Sequence, residues 1–229
     1  MQLWLREDIY KDIEKTLNSV NLEEEKIFSI NVPTGTGKTL ASFNTALKLR
    51  KKLGKNNRII YNLPFTSVID QNYSVFEDVL GEVSKESSVL LKHHYLARKE
   101  YIVNEGEVYE YDISKYLIEN WDSEIIVTTF IQFLNSVITN KNRNLKKYHN
   151  LANSIIILDE VQSIPYKYWK LINKTLKLMT KTLNCYVILV TATMPLIFSE
   201  KDKEIIELAS EKEKYFSFFN RIDMDISMI

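Results

Sequence analysis

Cysteine, glycine and proline are scarce in this sequence. Cys185 is the single cysteine among 229 residues, which excludes an internal disulfide and fits a reducing cytoplasm. The five glycines and four prolines, beside 45% hydrophobic and 26% charged residues, exclude a collagen-like or disordered chain. We therefore expect an ordered chain that forms one domain over residues 1–229.

Net charge and long apolar runs are lacking as well. Thirty basic side chains balance thirty acidic ones, so no field of the whole molecule attracts a polyanion, and any nucleic-acid contact must be local. No run approaches the roughly 18 apolar residues of a membrane span, and the first residues lack the basic and apolar regions of a signal peptide. The sequence thus predicts a cytoplasmic protein with no membrane partner.

Six short runs rich in β-branched residues are apolar along their whole length and predict buried strands. They lie at residues 27–32, 58–63, 88–91, 125–128, 154–158 and 186–191. Longer segments with helical spacing, such as Leu40, Phe43 and Leu47, lie between them. This alternation predicts an α/β protein, with a parallel β-sheet flanked by helices on both faces.

A glycine-containing segment at residues 31–39 follows the first predicted strand and opens a predicted helix, as a phosphate-binding loop does. Gly35 and Gly37 permit the backbone angles that direct N–H groups at an anion, and the helix N-terminus adds positive potential. Val32 replaces the usual first glycine, so a strand-to-helix turn without a ligand is the alternative. We expect the ATP phosphates to be bound by Pro33, Thr34, Gly35, Thr36, Gly37, Lys38 and Thr39.

Two carboxylates, Asp159 and Glu160, end the fifth predicted strand. Open parallel sheets bind ligands at the carboxyl ends of their strands, where Lys38 is also expected. Asp159 and the Thr39 hydroxyl are therefore candidate ligands of Mg²⁺, and Glu160 is a candidate to polarise the water that attacks the γ-phosphate. Taken alone, the pair is equally typical of a solvated acidic strand end.

Two hydroxyls, on Thr191 and Thr193, follow the sixth predicted strand. Hydroxyls beside the γ-phosphate position could detect whether that phosphate is present. A polar strand end closed by Pro195 explains the pattern equally well.

Five segments, in chain order, resemble the first five motifs of superfamily 2 helicases: residues 33–39, 63–67, 127–130, 159–162 and 191–193. The longer strings at 62–71, 119–122 and 157–163, with the pair His93 and His94, resemble the helicase part of the CRISPR-associated helicase-nuclease family of type I interference systems. The resemblance covers roughly residues 25–195 and implies a RecA-like P-loop NTPase domain.

The resemblance implies a motor that uses ATP to pull on single-stranded DNA after a CRISPR surveillance complex has opened the target. It assigns catalysis to Lys38, Asp159, Glu160 and Gln162, with Gln162 at the γ-phosphate. It also implies contacts with the DNA backbone, because hydroxyls and backbone amides suit sugar-phosphate contacts. The residues expected to make them are Pro64, Phe65, Thr66, Thr128 and Thr129. It also implies a second motor domain and an HD-type nuclease domain, on the rest of the chain or on a separate subunit.

The sequence departs from the family pattern in three places. Ile9 stands where such helicases often carry a glutamine that reads adenine. The three histidines, His93, His94 and His149, do not supply the ligand set of the nuclease domain, so no nuclease site is expected in this chain. We expect residues 1–24 to be a helical lead-in and residues 196–229 to be an extension towards the second motor domain.

Two other functions fit the same residues. One is an ATP-gated nucleic-acid binding module without turnover, and the other is the motor domain of a restriction or repair helicase. A further basic segment could contact phosphate, through Lys141, Arg143, Lys146 and Lys147.

Overall fold

A computed structural model describes residues 2–94, 101–103, 107–138, 146–200 and 202–218. Within these ranges seven strands form one sheet, and every pairing in it is parallel. The strands are β1 (Ile27–Asn31), β2 (Ile59–Leu63), β3 (Leu90–His93), β4 (Ile125–Thr129), β5 (Ile155–Asp159), β6 (Tyr186–Thr191) and β7 (Ile206–Glu207). Their order across the sheet is β3-β4-β2-β5-β6-β1-β7.

The six predicted strands are confirmed as β1 to β6. The central strands β1, β2, β4, β5 and β6 are mostly apolar and almost wholly buried, because helices cover both faces of the sheet. The edge strand β3 also includes the half-buried Lys92 and His93. Strand β7 was not predicted. It has two residues, both half-buried, and pairs with β1 at the sheet edge, so it carries no apolar run to detect.

Helices pack on both faces of the sheet, as predicted. They are α1 (Gln2–Ser19), α2 (Lys38–Leu53), α3 (Ile69–Leu80), α4 (Tyr111–Asn120), α5 (Phe130–Ile138), α6 (Tyr148–Leu151), α7 (Trp169–Thr182) and α8 (Lys212–Ser217). Alternate strand residues point to opposite faces. Tyr61 therefore packs in the layer with α1, α2 and α3, whereas Ile60 packs in the layer with α4, α5 and α7. None of the described helices has both the length and the apolar composition needed to cross a membrane.

The register of the central strands brings three strand ends to one place. Strand β6 lies between β1 and β5, with Asn31 opposite Thr191 and Asp159 opposite Val190. Because all three strands are parallel, the loops that follow them leave from the same edge of the sheet. These are the loops that carry the predicted site residues.

Candidate nucleotide and nucleic-acid site

The loop between β1 and α2 has the backbone of an anion-binding turn. Gly35 and Gly37 have φ angles of 82° and 86°, in the left-handed region that glycine adopts without strain. Thr36 donates its hydroxyl proton to the Pro33 carbonyl at 2.7 Å. Lys38 is the first residue of α2, and its side chain is nearly buried. The loop therefore delivers a lysine and a helix N-terminus to the same point.

Lys38 forms an ion pair with Glu160, with 2.9 Å between Nζ and Oε1. Burial raises the pKa of the Glu160 carboxyl, but its contacts with Lys38 and Gln162 outweigh burial and leave the pKa below its usual value. Glu160 has a φ of 54°, which is uncommon for a residue with a side chain. This backbone conformation follows directly after β5 and directs the carboxylate at the phosphate-binding loop.

Gln162 and Thr191 extend this contact to the next strand end. The Gln162 amide donates a hydrogen bond to Glu160 Oε2, and the Thr191 hydroxyl donates to Gln162 Oε1 at 2.5 Å. Thr191 also accepts a hydrogen bond from the Thr193 N–H at 2.9 Å. Lys38, Glu160, Gln162, Thr191 and Thr193 therefore form one continuous chain of contacts across three loops.

Asp159 lies at the end of β5 and is 3% exposed. Its carboxylate accepts hydrogen bonds from the Tyr61 hydroxyl at 2.7 Å and from the Glu160 N–H at 2.8 Å. Burial raises the pKa of Asp159 to about 6, although the Tyr61 hydrogen bond opposes the shift. The structure thus holds a carboxylate in an environment that disfavours its charge unless a cation is near.

Thr39, the other predicted magnesium ligand, donates its hydroxyl proton to Asn72 Oδ1 at 2.8 Å. Asn72 belongs to α3, and its amide donates to the Val68 carbonyl at 2.9 Å. Sequence reasoning missed both Asn72 and Tyr61. Tyr61 lies within a predicted strand and Asn72 directly after the segment 62–71, but neither residue type indicates a site there. Each meets the site through a contact between residues distant in sequence.

Arg6 is a third side chain that sequence reasoning missed. It reaches from α1 to the phosphate-binding loop, where its guanidinium donates to the Gly35 carbonyl at 3.2 Å. Its side chain also lies about 3.7 Å from where a Cβ on Gly37 would stand. Ile9, at the position expected for an adenine-reading glutamine, is buried in the core. Arg6, rather than Ile9, is the α1 residue beside the loop.

The residues predicted to contact DNA do not share one environment. Phe65 is 62% exposed, and Pro64 and Thr66 beside it are half-buried, just after β2. Thr128 is fully buried and donates its hydroxyl proton to the His93 carbonyl at 2.7 Å. Thr129 accepts the Gln132 N–H at 3.3 Å at the start of α5. Residues 64–66 are therefore accessible to DNA, whereas the Thr128 hydroxyl already has a partner within the sheet.

The basic segment before β5 lies only partly within the described residues, since Lys141 and Arg143 fall outside them. Lys146 lies 3.8 Å from the carboxylate of Glu119, a residue distant in sequence. Lys147 is 4% exposed and its Nζ lies 4.7 Å from the Trp121 ring centroid. Both described lysines therefore have contacts within the protein.

A separate metal cluster is not found in the described part of the chain. No group of three or more histidine, cysteine, aspartate or glutamate side chains there could hold a metal ion. The expectation that this chain carries no nuclease site stays a prediction.

The all-parallel sheet, with a glycine-containing loop after β1 and an Asp-Glu pair at the end of β5, has the RecA-like fold. The family and relative that match the chain place this domain among superfamily 2 helicases. Residues 4–196 match the family described as type III restriction enzyme, res subunit. That match covers most of the chain, and the chain belongs to this family.

Two relatives share close to a third of their aligned residues with this chain. CRISPR-associated nuclease/helicase Cas3 from Haloferax volcanii is 31% identical over 200 residues, which are 82% of this chain and 21% of the relative. Reverse gyrase from Methanocaldococcus jannaschii is 31% identical over 179 residues, 76% of this chain and 10% of the relative. The chain thus spans about a fifth or less of these proteins. The similarity to Cas3 confirms the resemblance to CRISPR-associated helicase-nucleases.

Solved structures with the same fold include helicases of several kinds. T. fusca Cas3 with ADP superimposes with a TM-score of 0.63 at 20% identity, covering 95% of this chain and 23% of that one. The Pyrococcus furiosus Hef helicase domain gives a TM-score of 0.54 at 18% identity, covering 88% of this chain and 37% of that one. These superpositions confirm the RecA-like fold.

Proposed function

We propose that this chain is the ATP- and magnesium-binding first motor domain of a CRISPR-associated DNA helicase that translocates on single-stranded DNA during interference. The observation that carries the proposal is the contact chain from Lys38 through Glu160 and Gln162 to Thr191. It joins the loops that follow β1, β5 and β6, so a change at the terminal phosphate reaches all three loops. The similarity to Cas3 over 82% of the chain favours the CRISPR branch.

The residues of the loop fit a nucleotide polyphosphate. Lys38 has one carboxylate partner among the described residues, and Thr34 and Gly35 expose the outer side of the loop. An anion bound there meets the charge of Lys38 and the N–H groups at the start of α2. Lys38 then exchanges Glu160 for phosphate, which frees the Glu160 carboxylate to accept a proton from the attacking water.

Asp159 and Thr39 fit a divalent cation beside these phosphates. Asp159 is buried and has no lysine or arginine nitrogen within ion-pairing distance among the described residues. Burial raises its pKa, and the charge of Lys38 offsets this only in part. Asp159 and the Thr39 hydroxyl would hold magnesium, which would supply positive charge beside the phosphates. Gln162, Thr191 and Thr193 then lie where the γ-phosphate is detected.

Two alternatives have their own support. The family description and the reverse gyrase relative favour a restriction or repair helicase. The Lys38–Glu160 ion pair, which occupies the proposed base, favours an ATP-gated clamp without turnover. DNA-stimulated hydrolysis excludes the clamp. Further stimulation by a CRISPR surveillance complex, with the second motor domain present, selects the CRISPR branch.

The first test is calorimetric binding of ATP with magnesium to the Lys38→Ala variant. Lost charge-assisted contacts cost about 1.5–3 kcal/mol each, so we expect affinity to fall by at least tenfold. Lys48→Ala is the matched control, because it also removes an ion pair from α2, with Glu14 at 2.6 Å, but lies away from the loop. Equal affinity in parent and Lys38→Ala would remove this loop from the proposal.

A further inference from the structure

Asn72 holds Thr39 in one hydrogen-bonding orientation. A carbonyl oxygen can only accept, so the side-chain NH₂ of Asn72 must face the Val68 carbonyl. The distance from Asn72 Nδ2 to the Val68 oxygen is 2.9 Å. Asn72 Oδ1 therefore faces Thr39, and the Thr39 hydroxyl must donate its single proton there, at 2.8 Å. Tyr61 is a second hydrogen-bond partner of Thr39, but its proton goes to Asp159 at 2.7 Å. Neither Asn72 nor Tyr61 therefore donates to the Thr39 oxygen, which keeps lone pairs for a cation. That is the arrangement a hydroxyl needs in order to bind a cation.

Helices α2 and α3 are fixed against each other one turn further on. Phe43 follows Thr39 by four residues and Phe76 follows Asn72 by four, so each pair lies on one helix face. The two phenyl rings pack with centroids 4.3 Å apart, and both side chains are buried. The Thr39–Asn72 contact is therefore part of a rigid interface and is not a chance meeting of surface side chains.

The same helix also supports the second predicted magnesium ligand. Phe76 packs on the ring of Tyr61, with centroids 4.8 Å apart, and the Tyr61 hydroxyl donates to Asp159. Helix α3 thus contacts Thr39 directly and Asp159 through Tyr61. A small movement of α3 changes the positions of both ligands together.

The predicted DNA-contact residues 64–66 lie just before α3. The 3-10 turn Thr66–Val68 runs directly into α3 at Ile69, which is fully buried and fixes this helix end in the core. Val68, at the end of that turn, supplies the carbonyl that orients Asn72. One amide side chain therefore connects the turn after β2 to a proposed magnesium ligand.

We propose that Asn72 is a positioning residue that orients the Thr39 hydroxyl for magnesium and couples this orientation to single-stranded DNA on residues 64–66. The inference rests on the proposed function. Partners that orient a metal ligand typically change metal affinity by about 10–100-fold when they are removed. Coupling between two sites acts in both directions, so DNA raises the affinity for magnesium-nucleotide and magnesium-nucleotide raises the affinity for DNA.

The test is equilibrium binding of a fluorescent ATP analogue to the 229-residue chain during magnesium titration, with and without a single-stranded oligonucleotide. For Asn72→Ala we expect at least a tenfold rise in the half-saturating magnesium concentration and loss of the effect of DNA. Affinity measured in EDTA should stay within twofold of the parent. Asn72→Asp keeps an acceptor for Thr39 but loses the donor to Val68, so it should restore the magnesium dependence and not the response to DNA.

Asn173→Ala is the matched control. Asn173 lies on α7, and its side-chain amide likewise donates to a backbone carbonyl, that of Ile197, at 2.7 Å. An unchanged magnesium titration in Asn72→Ala would overturn the inference, and so would an equal loss of affinity in EDTA, which indicates a structural role. A parent chain that binds magnesium-nucleotide but shows no effect of DNA would overturn the coupling. If parent and Lys38→Ala both fail to bind nucleotide, the proposed function itself fails.

Discussion

Asp159 shows at the scale of one residue how a buried carboxylate can lower the stability of the fold. Its pKa is about 6 in the folded protein and 3.8 without the fold, because burial disfavours the charged form. The folded state therefore holds the proton more tightly than the unfolded state. Stability from this group is lost as pH rises from about 4 to about 6 and is not regained above that range.

We predict that Asp159→Asn is more stable than the parent at pH 8 by about 1–3 kcal/mol, since a shift of about two pKa units corresponds to roughly 3 kcal/mol at most. The gain should shrink towards zero at pH 4, where the parent carboxyl is protonated in the folded state. Urea denaturation of both proteins in EDTA at pH 4 and pH 8 measures the difference. An equal gain in stability at pH 4 and pH 8 would mean that the gain does not come from removing the Asp159 charge.

Glu160 gives a second prediction at this scale. Glu160→Gln keeps the size of the side chain but loses its basicity, so turnover should fall by about a hundredfold to ten-thousandfold. Nucleotide affinity should stay equal or rise, because Lys38 loses a competing negative charge. The assay is hydrolysis with the second motor domain present, beside calorimetry. Glu14→Gln, which also weakens an ion pair to α2, is the control, and turnover within twofold of the parent would contradict the role.

The sequence predicted the residues of the site whose type and position within a short segment are distinctive. Lys38, Glu160, Gln162 and Thr191 belong to such segments, and the structure brings them together. Arg6, Tyr61 and Asn72 were missed, because ordinary side chains on a helix or strand gain a role here only through packing. Thr128 is the opposite case. Its segment resembles a helicase motif and predicted a DNA contact, but its hydroxyl donates to the His93 carbonyl within the sheet.

At the scale of elements, the sheet was predictable because its central strands are uniformly apolar, but its edge was not. Glu207 of β7 accepts hydrogen bonds from the Ser29 hydroxyl at 2.9 Å and the Asn31 N–H at 3.1 Å, and burial raises its pKa. This carboxylate fixes the end of β1, directly before the phosphate-binding loop. A two-residue strand with a half-buried glutamate resembles a loop in sequence, so no periodicity could reveal it.

Helix α2 is bounded at both ends by a glycine with positive φ, 86° at Gly37 and 64° at Gly54. Alanine at either position should lower stability by about 1–2 kcal/mol, because L-residues are strained in this conformation. Space is not limiting, since a Cβ at Gly37 meets Arg6 at 3.7 Å and one at Gly54 meets nothing within 4 Å.

We therefore predict that Gly37→Ala and Gly54→Ala lower the thermal midpoint by similar amounts, while Gly37→Ala alone weakens nucleotide binding, by fivefold or more. Differential scanning calorimetry and nucleotide titration on both variants test this. Equal nucleotide affinities in the two variants would show that the Gly37 conformation matters for the helix and not for the ligand.

At the scale of the whole molecule, the described arginines are arranged for structure. Arg50 and Arg58 pair with Glu124 and Asp122 at 2.7 and 3.0 Å. Arg58 immediately precedes β2 and Glu124 immediately precedes β4, so these pairs lie at the amino end of the parallel sheet, opposite Lys38. Arg6 is the described arginine at the phosphate-binding loop, and it donates to the loop backbone.

We accordingly predict that the 229-residue chain binds ATP but hydrolyses it slowly, because the arginines that stabilise the transferring phosphate come from a second motor domain. Such an arginine is worth roughly a thousandfold to a hundred-thousandfold in rate. Unwinding should fail too, since pulling on a strand requires two domains that close and open around ATP. Single-turnover hydrolysis with single-stranded DNA compares the chain alone with the chain fused to a second motor domain. The Glu160→Gln variant of the fusion gives the background rate, and a chain that alone reaches the rate of the fusion would show that it carries its own arginine.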